Sequence, residues 1–288
     1  MDELERVSAH TWAGGINYTG HLTRLMRDLV VRVPELRYID LGRVLVFARP
    51  GRVGTDGPHA TCHCLGLPAS DPGYYFWRDL QTGRLTRRTE WFVERSPEVT
   101  CGGRAVDYLI SFALPRFCNQ SLERSPKRAW YPGVPPWVAK LDTVVHELYH
   151  IDPAQPGIRQ LVRPDGRPSP RSHTPEFYAA VVSMVRAYLD SHPDPAVLEF
   201  LQHDFDGLTA RYGGVAGLTF RGFPAYPRRY REALVPQPAP LETGEEAPLH
   251  SCVGGDPIKS ATDDDLQLRQ FFATGSRLLA PQTAREAA

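Results

Sequence analysis

Apolar residues first recur at helical spacing over residues 20–33, where Leu22, Leu25, Met26, Leu29, Val30 and Val33 make one stripe. Pro34 cannot continue the turn, so the helix is predicted to stop there. The period then changes. Val44-Leu45-Val46-Phe47, closed by Pro50-Gly51, predicts a short buried strand. Residues 59–66 predict a second strand, with Cys62 and Cys64 on one face and His63 on the other. The aromatic run at 74–77 and the segment 85–93, joined through Gln81-Thr82-Gly83, predict a hairpin. Val106, Tyr108, Ile110 and Phe112 alternate and predict a further strand over 105–113.

Beyond Pro136 the pattern is helical through residue 151. At about 100° per residue, Trp137, Val138, Leu141, Val144, Val145, Leu148, Tyr149 and Ile151 fill an arc of roughly 160°. His146 and His150 lie opposite that arc with the small neighbours Ala139 and Thr143. A loop of about twenty residues leads to a second helix, for which Thr174 is the expected N-cap and Pro175 suits the first turn. Its apolar face is Phe177, Val181, Met184, Val185 and Tyr188, and Pro193 and Pro195 stop it. From about residue 204 no clear period remains. Residues 236–260 read as a Pro/Gly/Glu-rich linker, and 262–279 as a last helix capped by Thr262 with Asp263, Asp264 and Asp265 in its first turn.

These elements predict an α+β fold: a small mixed β-sheet, a backing helix and two further helices. A domain is expected over residues 1–200, followed by a C-terminal extension, 201–288. The length of 288 residues allows one large or two modest domains, and 42% hydrophobic with 23% charged residues excludes a wholly disordered chain. With 33 basic and 33 acidic side chains the net charge is zero, which argues against a general polyanion binder. The one candidate nucleic-acid contact is 221–231, where Arg221, Arg228, Arg229 and Arg231 alternate with Phe223, Tyr226 and Tyr230; a solvated loop explains it more simply. No apolar run approaches the roughly 18 residues of a membrane span. The first residues, Met1-Asp2-Glu3-Leu4-Glu5, are acidic where a secretory leader is basic, so a cytoplasmic protein with reduced thiols is expected. Cys62, Cys64, Cys101 and Cys118 lack the paired spacing of a cysteine zinc site and read as buried thiols. Oligomeric state leaves no trace in the sequence.

The candidate chemistry lies in His146-Glu147-Leu148-Tyr149-His150. Helical residues four apart stand one above the other, so His146 and His150 can hold one ion, and Glu147 lies about 100° round, beside it. Two imidazoles and a third protein ligand make a hydrolytic zinc site, with the glutamate as general base. The third ligand is open at this level. His173 stands directly before the N-cap of the next helix, Glu176 one turn later offers a carboxylate, and Asp152 is a further option. Nine of the 27 prolines fall between residues 132 and 175, where fixed φ angles would stiffen the chain around these groups.

The segment His146-Glu147-Leu148-Tyr149-His150-Ile151, followed by Ser172-His173-Thr174-Pro175-Glu176-Phe177, resembles the SprT-like and phage metallopeptidase families. In those families an HELxH helix precedes a His-x-Pro-Glu-Phe or His-Gly-x-x-Phe segment whose histidine is the third zinc ligand. The likeness spans roughly residues 16–190. It implies a zincin-like fold, zinc (Zn²⁺) bound by His146, His150 and His173, and Glu147 as the catalytic residue. The aromatic insertion at 74–92 and the last 85 or so residues depart from it, and with only Cys252 beyond residue 200 no Cys₄ ribbon can follow. The expected function is a zinc metallopeptidase, its peptide or protein substrate extended along an edge strand at 59–65. A zinc-stabilised interaction protein without turnover and a nucleic-acid-associated protease are the alternatives.

Overall fold

Asn17 opens the first helix, its Oδ1 accepting the Gly20 N–H at 3.1 Å, as an N-cap should. The computed structural model describes residues 14–54, 57–65, 74–78, 85–93, 99–154, 157–159, 161–162, 173–221, 229–231 and 261–279. The two-residue strand β1 (Ile16–Asn17) leads into α1 (Tyr18–Arg32), which buries Tyr18, Leu22, Leu25, Met26 and Leu29. Strand β2 (Val44–Gly51) follows, longer than the apolar run that predicted it. Then come β3 (Ala60–Cys64), the hairpin of β4 (Tyr74–Arg78) with β5 (Leu85–Val93), the short pair β6 (Val99–Cys101) and β7 (Arg104–Val106), and β8 (Tyr108–Pro115). The single strand expected over 105–113 is two. Asp107 interrupts it, its N–H spent on the Arg43 carbonyl and its own carbonyl taken by the Leu65 N–H.

The central sheet has the order β2-β8-β3, β2 parallel to β8 and β3 antiparallel, which leaves β3 at an edge. Every residue of β8 is buried, so both faces of this sheet are covered. Val46, Ala48, Ile110 and Phe112 face the helices; Leu45, Phe47 and Leu109 face a smaller cluster with Val99, Cys101, Val106 and Leu218. On the helical side lie α1, α2 (Val138–Tyr149) and α3 (Pro175–Asp190), with α2 packed on α3 and against β3. The chain continues through the one-turn α4 (Pro195–Leu198) and α5 (Phe205–Tyr212) into β9 (Val215–Phe220). Neither α5 nor β9 is expected from hydrophobic period, yet α5 carries explicit end signals. Asp204 Oδ1 accepts the Gly207 N–H at 2.8 Å, and Gly213 closes the helix at φ +88°, where a Cβ is strained.

The last expected helix, 262–279, is not a helix. The Thr262 N–H donates to Asp265 Oδ2 at 3.2 Å, so the capping signal is used, but it opens only one 3₁₀ turn at Asp263–Asp265. After the short strand β10 (Arg229–Arg231), paired with β5, residues beyond that turn form β11 (Leu266–Phe272) and β12 (Gly275–Leu278). β9 supplies the reason: it offers a full row of main-chain partners, pairs with β11 from Phe220↔Leu266 to Val215↔Phe271, and so outweighs local helix preference. The second sheet is therefore β1-β9-β11-β12. No break falls at residue 200 among the described residues, because Phe205, Leu208, Val215 and Phe271 join the same core as Tyr18, Leu22 and Val145. The linker reading of 236–260, most of 221–231, and prolines 156, 164, 168 and 170 lie outside the described residues. No helix among the described residues is long and apolar enough to cross a membrane.

Candidate metal centre

Helix α2 carries His146 and Glu147 in its last turn, with His150 as its C-cap, its N–H bonded to the His146 carbonyl at 3.2 Å. Helix α3 begins where the sequence predicts. Thr174 Oγ1 accepts the Phe177 N–H at 3.3 Å and Pro175 takes the first position, which holds His173 at the helix mouth. Packing of α3 on α2 brings three rings together. Nε2 of His146 lies 3.1 Å from that of His150 and 2.9 Å from that of His173, and the last two are 3.1 Å apart. Phe177 forms their common wall, with ring centroids 5.0, 4.9 and 5.2 Å from His146, His150 and His173. Tyr178 stacks on His173 at 5.6 Å.

Among the described residues this is the one group of three metal-capable side chains brought within ligand distance. Glu176 stays out of it, exposed on the first turn of α3 and hydrogen-bonded to Thr174. Asp152 turns back to accept the Ala154 N–H at 2.8 Å. Of the three options for a third ligand, the fold places only His173 in the cluster.

The donor set suits a cation. A neutral imidazole brings one proton to two nitrogens, so three Nε2 atoms in one triangle cannot all satisfy each other. Among the described residues the buried Nδ1 atoms of His146 and His150 find no hydrogen-bond partner, so the inward nitrogens are the contacts these rings offer. Tetrahedral zinc at about 2.05 Å from each nitrogen sets them about 3.3 Å apart, a few tenths wider than seen here. The rings are also uncharged, as ligands must be. Burial first, then the neighbouring His150, Lys127 and His173, lowers His146 to about 2; burial and then His173 and Arg159 lower His150 to about 4.

Glu147 is 6% exposed, and burial raises its carboxyl to about 7 against the pull of the Cys62 main-chain N–H and the Lys127 and Arg49 charges. That main-chain contact ties the glutamate to the edge strand β3. Both face a cavity of about 760 Å³, lined by His59–Cys62 on one side and by Thr143, His146, Glu147 and His150 on the other, with Gln120 and Lys127 at its rim. Lys127 is paired with the buried Asp142, which also accepts from the Tyr131 hydroxyl at 2.7 Å.

The loop after α2 is pinned by groups that no spacing pattern marks. Arg159 Nε donates to the Tyr149 carbonyl at 2.7 Å, Arg159 Nη2 to that of Ile151 at 3.3 Å, and the Tyr38 hydroxyl to Ile151 at 2.7 Å. The Arg159 guanidinium lies 3.9 Å over the Tyr149 ring, and Tyr108 Oη exchanges hydrogen bonds with Gly157. The carbonyls that a helix end leaves open are thus taken, which fixes the turn carrying His150. Only a long-range contact, and no local signal, could have revealed these residues. Cys62 and Cys64 lie on β3, Cys101 on β6, and Cys118 in the core beyond β8. Compared with known proteins, the chain matches no family model, no curated protein and no solved structure.

Proposed function

We propose that the chain is a zinc metallopeptidase with a zincin-like catalytic core, His146, His150 and His173 holding the metal and Glu147 acting as general base. The observation that carries this reading is the triangle of Nε2 atoms, 2.9–3.1 Å on each side, beside a buried carboxylate at the floor of an open cavity. When bound, zinc supplies Lewis acidity toward a scissile carbonyl and its attacking water. Glu147 takes the proton from that water and delivers it to the leaving amine, and its low exposure keeps bulk water from competing. The free edge of β3 receives the substrate main chain as an added strand, with Ala60 and Cys62 toward α2 and Thr61 toward the outer face. The Cys62 N–H on Glu147 sets the carboxylate against that strand.

Metal analysis and cleavage of a denatured protein, run on wild type and Glu147→Ala together, test the reading. About one zinc per chain in both, with hydrolysis only in wild type, is expected. Absence of stoichiometric metal, or equal cleavage by the variant, refutes it. Retained metal with no cleavage by either protein selects the zinc-stabilised scaffold instead.

A further inference from the structure

A second cavity, of about 680 Å³, lies on the face of the central sheet turned away from α2, between that sheet and the β9-β11-β12 layer. Among the described residues it shares only Pro58 and Thr61 with the cavity at the histidines. Strand alternation separates the two: Ile110 and Phe112 face the helices, so Ser111 between them faces outward, as does His63 between Cys62 and Cys64. The wall from the central sheet carries Arg49, His63 and Ser111; the wall from the second sheet carries Arg221, Arg269 and Ser276.

Among the described residues, no acidic side chain lines this cavity. In a chain with 33 basic and 33 acidic residues, that is a strong local imbalance. Arg49 Nε donates to Ser111 Oγ at 3.3 Å and Nη2 to the Pro58 carbonyl at 3.0 Å, while Arg269 Nε donates to Ser276 Oγ at 3.2 Å. Among the described residues none of the three arginines stands in an ion pair, so each keeps guanidinium N–H groups for a ligand. Guanidinium groups from two sheets line one cavity, so an anion placed there is attracted by all three.

We propose that this cavity binds the phosphate group of a small phosphorylated molecule. A phosphate carries about −1.5 to −2 charge and three acceptor oxygens, which matches several guanidinium forks better than a singly charged carboxylate. The cavity volume falls in the roughly 300–1,000 Å³ of small-molecule sites and exceeds a bare phosphate. Phe47 and Phe220, paired edge to face at 6.2 Å, line the remaining space and offer an apolar surface to the rest of the ligand.

The test uses the full chain in EDTA, so that it stands apart from the metal reading. Inorganic phosphate, a nucleoside monophosphate, acetate and a single-stranded decanucleotide are titrated by calorimetry at constant ionic strength. Saturable binding of inorganic phosphate, tighter binding of the monophosphate and none of acetate are expected. Arg221→Gln and Arg269→Gln should each weaken phosphate at least tenfold with unchanged circular dichroism. Arg221 is exposed and has no packing to lose, so it decides if the Arg269 variant fails to fold. Absent or non-saturable phosphate binding overturns the proposal, as do equal binding of acetate or wild-type affinity in Arg221→Gln. Binding of the decanucleotide alone overturns it in favour of a strand-binding surface.

Discussion

Replacing His173 by alanine, with Glu176→Ala beside it, tests which of the two neighbours one turn apart is the proposed zinc ligand. His173 is half-buried and touches His146, His150, Phe177 and Tyr178, so its loss should cost the metal-free protein about 1–2 kcal/mol, the worth of a few ring contacts. Its effect on the metal-bound protein is larger. At free zinc 100-fold above the dissociation constant, the metal stabilises the fold by about 2.7 kcal/mol. A variant bound 100-fold more weakly keeps only about 0.4 kcal/mol of that at the same zinc. The difference of about 2.3 kcal/mol corresponds to roughly 5–9 °C in Tm for a chain of this size. Glu176 is exposed at the N-terminus of α3, so Glu176→Ala should lower Tm only slightly, and equally with and without metal. Thermal unfolding in buffered zinc and in EDTA gives all of these numbers. If His173→Ala responds to zinc like wild type, or if Glu176→Ala loses the zinc response, the three-histidine assignment is wrong.

Phe177→Ala removes a ring that is 2% exposed, and should cost about 3–5 kcal/mol in EDTA by urea unfolding, with zinc affinity falling at least tenfold as well. Phe177→Leu should recover most of the stability, and an unchanged zinc affinity in the alanine variant would show that the rings hold themselves. Arg159→Ala removes this donor from the Tyr149 carbonyl and leaves that of Ile151 with the Tyr38 hydroxyl alone, and should destabilise by about 1–2 kcal/mol, with Arg159→Lys a poor substitute because an ammonium cannot span both carbonyls. Full rescue by lysine would argue that charge alone matters there. Lys140 is 3% exposed, donates to the His203 carbonyl at 2.6 Å, and is lowered by burial to about 8 from 10.5. The folded state then binds fewer protons than the unfolded state between those values, so stability rises with pH across that window. Relative to Lys140→Met, wild type should gain about 2 kcal/mol from about pH 7.5 to about pH 9.5 in urea titrations. Parallel pH profiles would show that the ammonium is not desolvated.

The described part of the candidate site was largely legible because its signals are local. His146, Glu147 and His150 share one helix, and their relative placement follows from 3.6 residues per turn. The start of α3 was equally plain, since Thr174 and Pro175 act on the backbone within one turn of themselves. What failed was local reasoning applied where the partner was distant. Thr262 and the three aspartates read as a helix start, yet β9 had free main-chain groups and drew residues 266–272 into its sheet. Strand β9 itself went unseen, because Val215, Ala216 and Leu218 are buried on both faces and show no alternation.

The sequence by itself determined an α+β chain and a helix after Pro136 with an apolar face and a histidine face, the two imidazoles sharing one stripe with a glutamate beside them. It favoured His173 as the third ligand while leaving Glu176 and Asp152 open. Tertiary structure decided among them: α3 crosses α2 so that Phe177 enters the core, which swings His173 onto the other two rings and Glu176 into solvent. It also decided that β3 is an edge beside Glu147, and that Arg49, Arg221 and Arg269, far apart in sequence, share one cavity. The reason is physical. Backbone hydrogen bonding and side-chain period act over a few residues, whereas the meeting of two surfaces depends on every side chain between them.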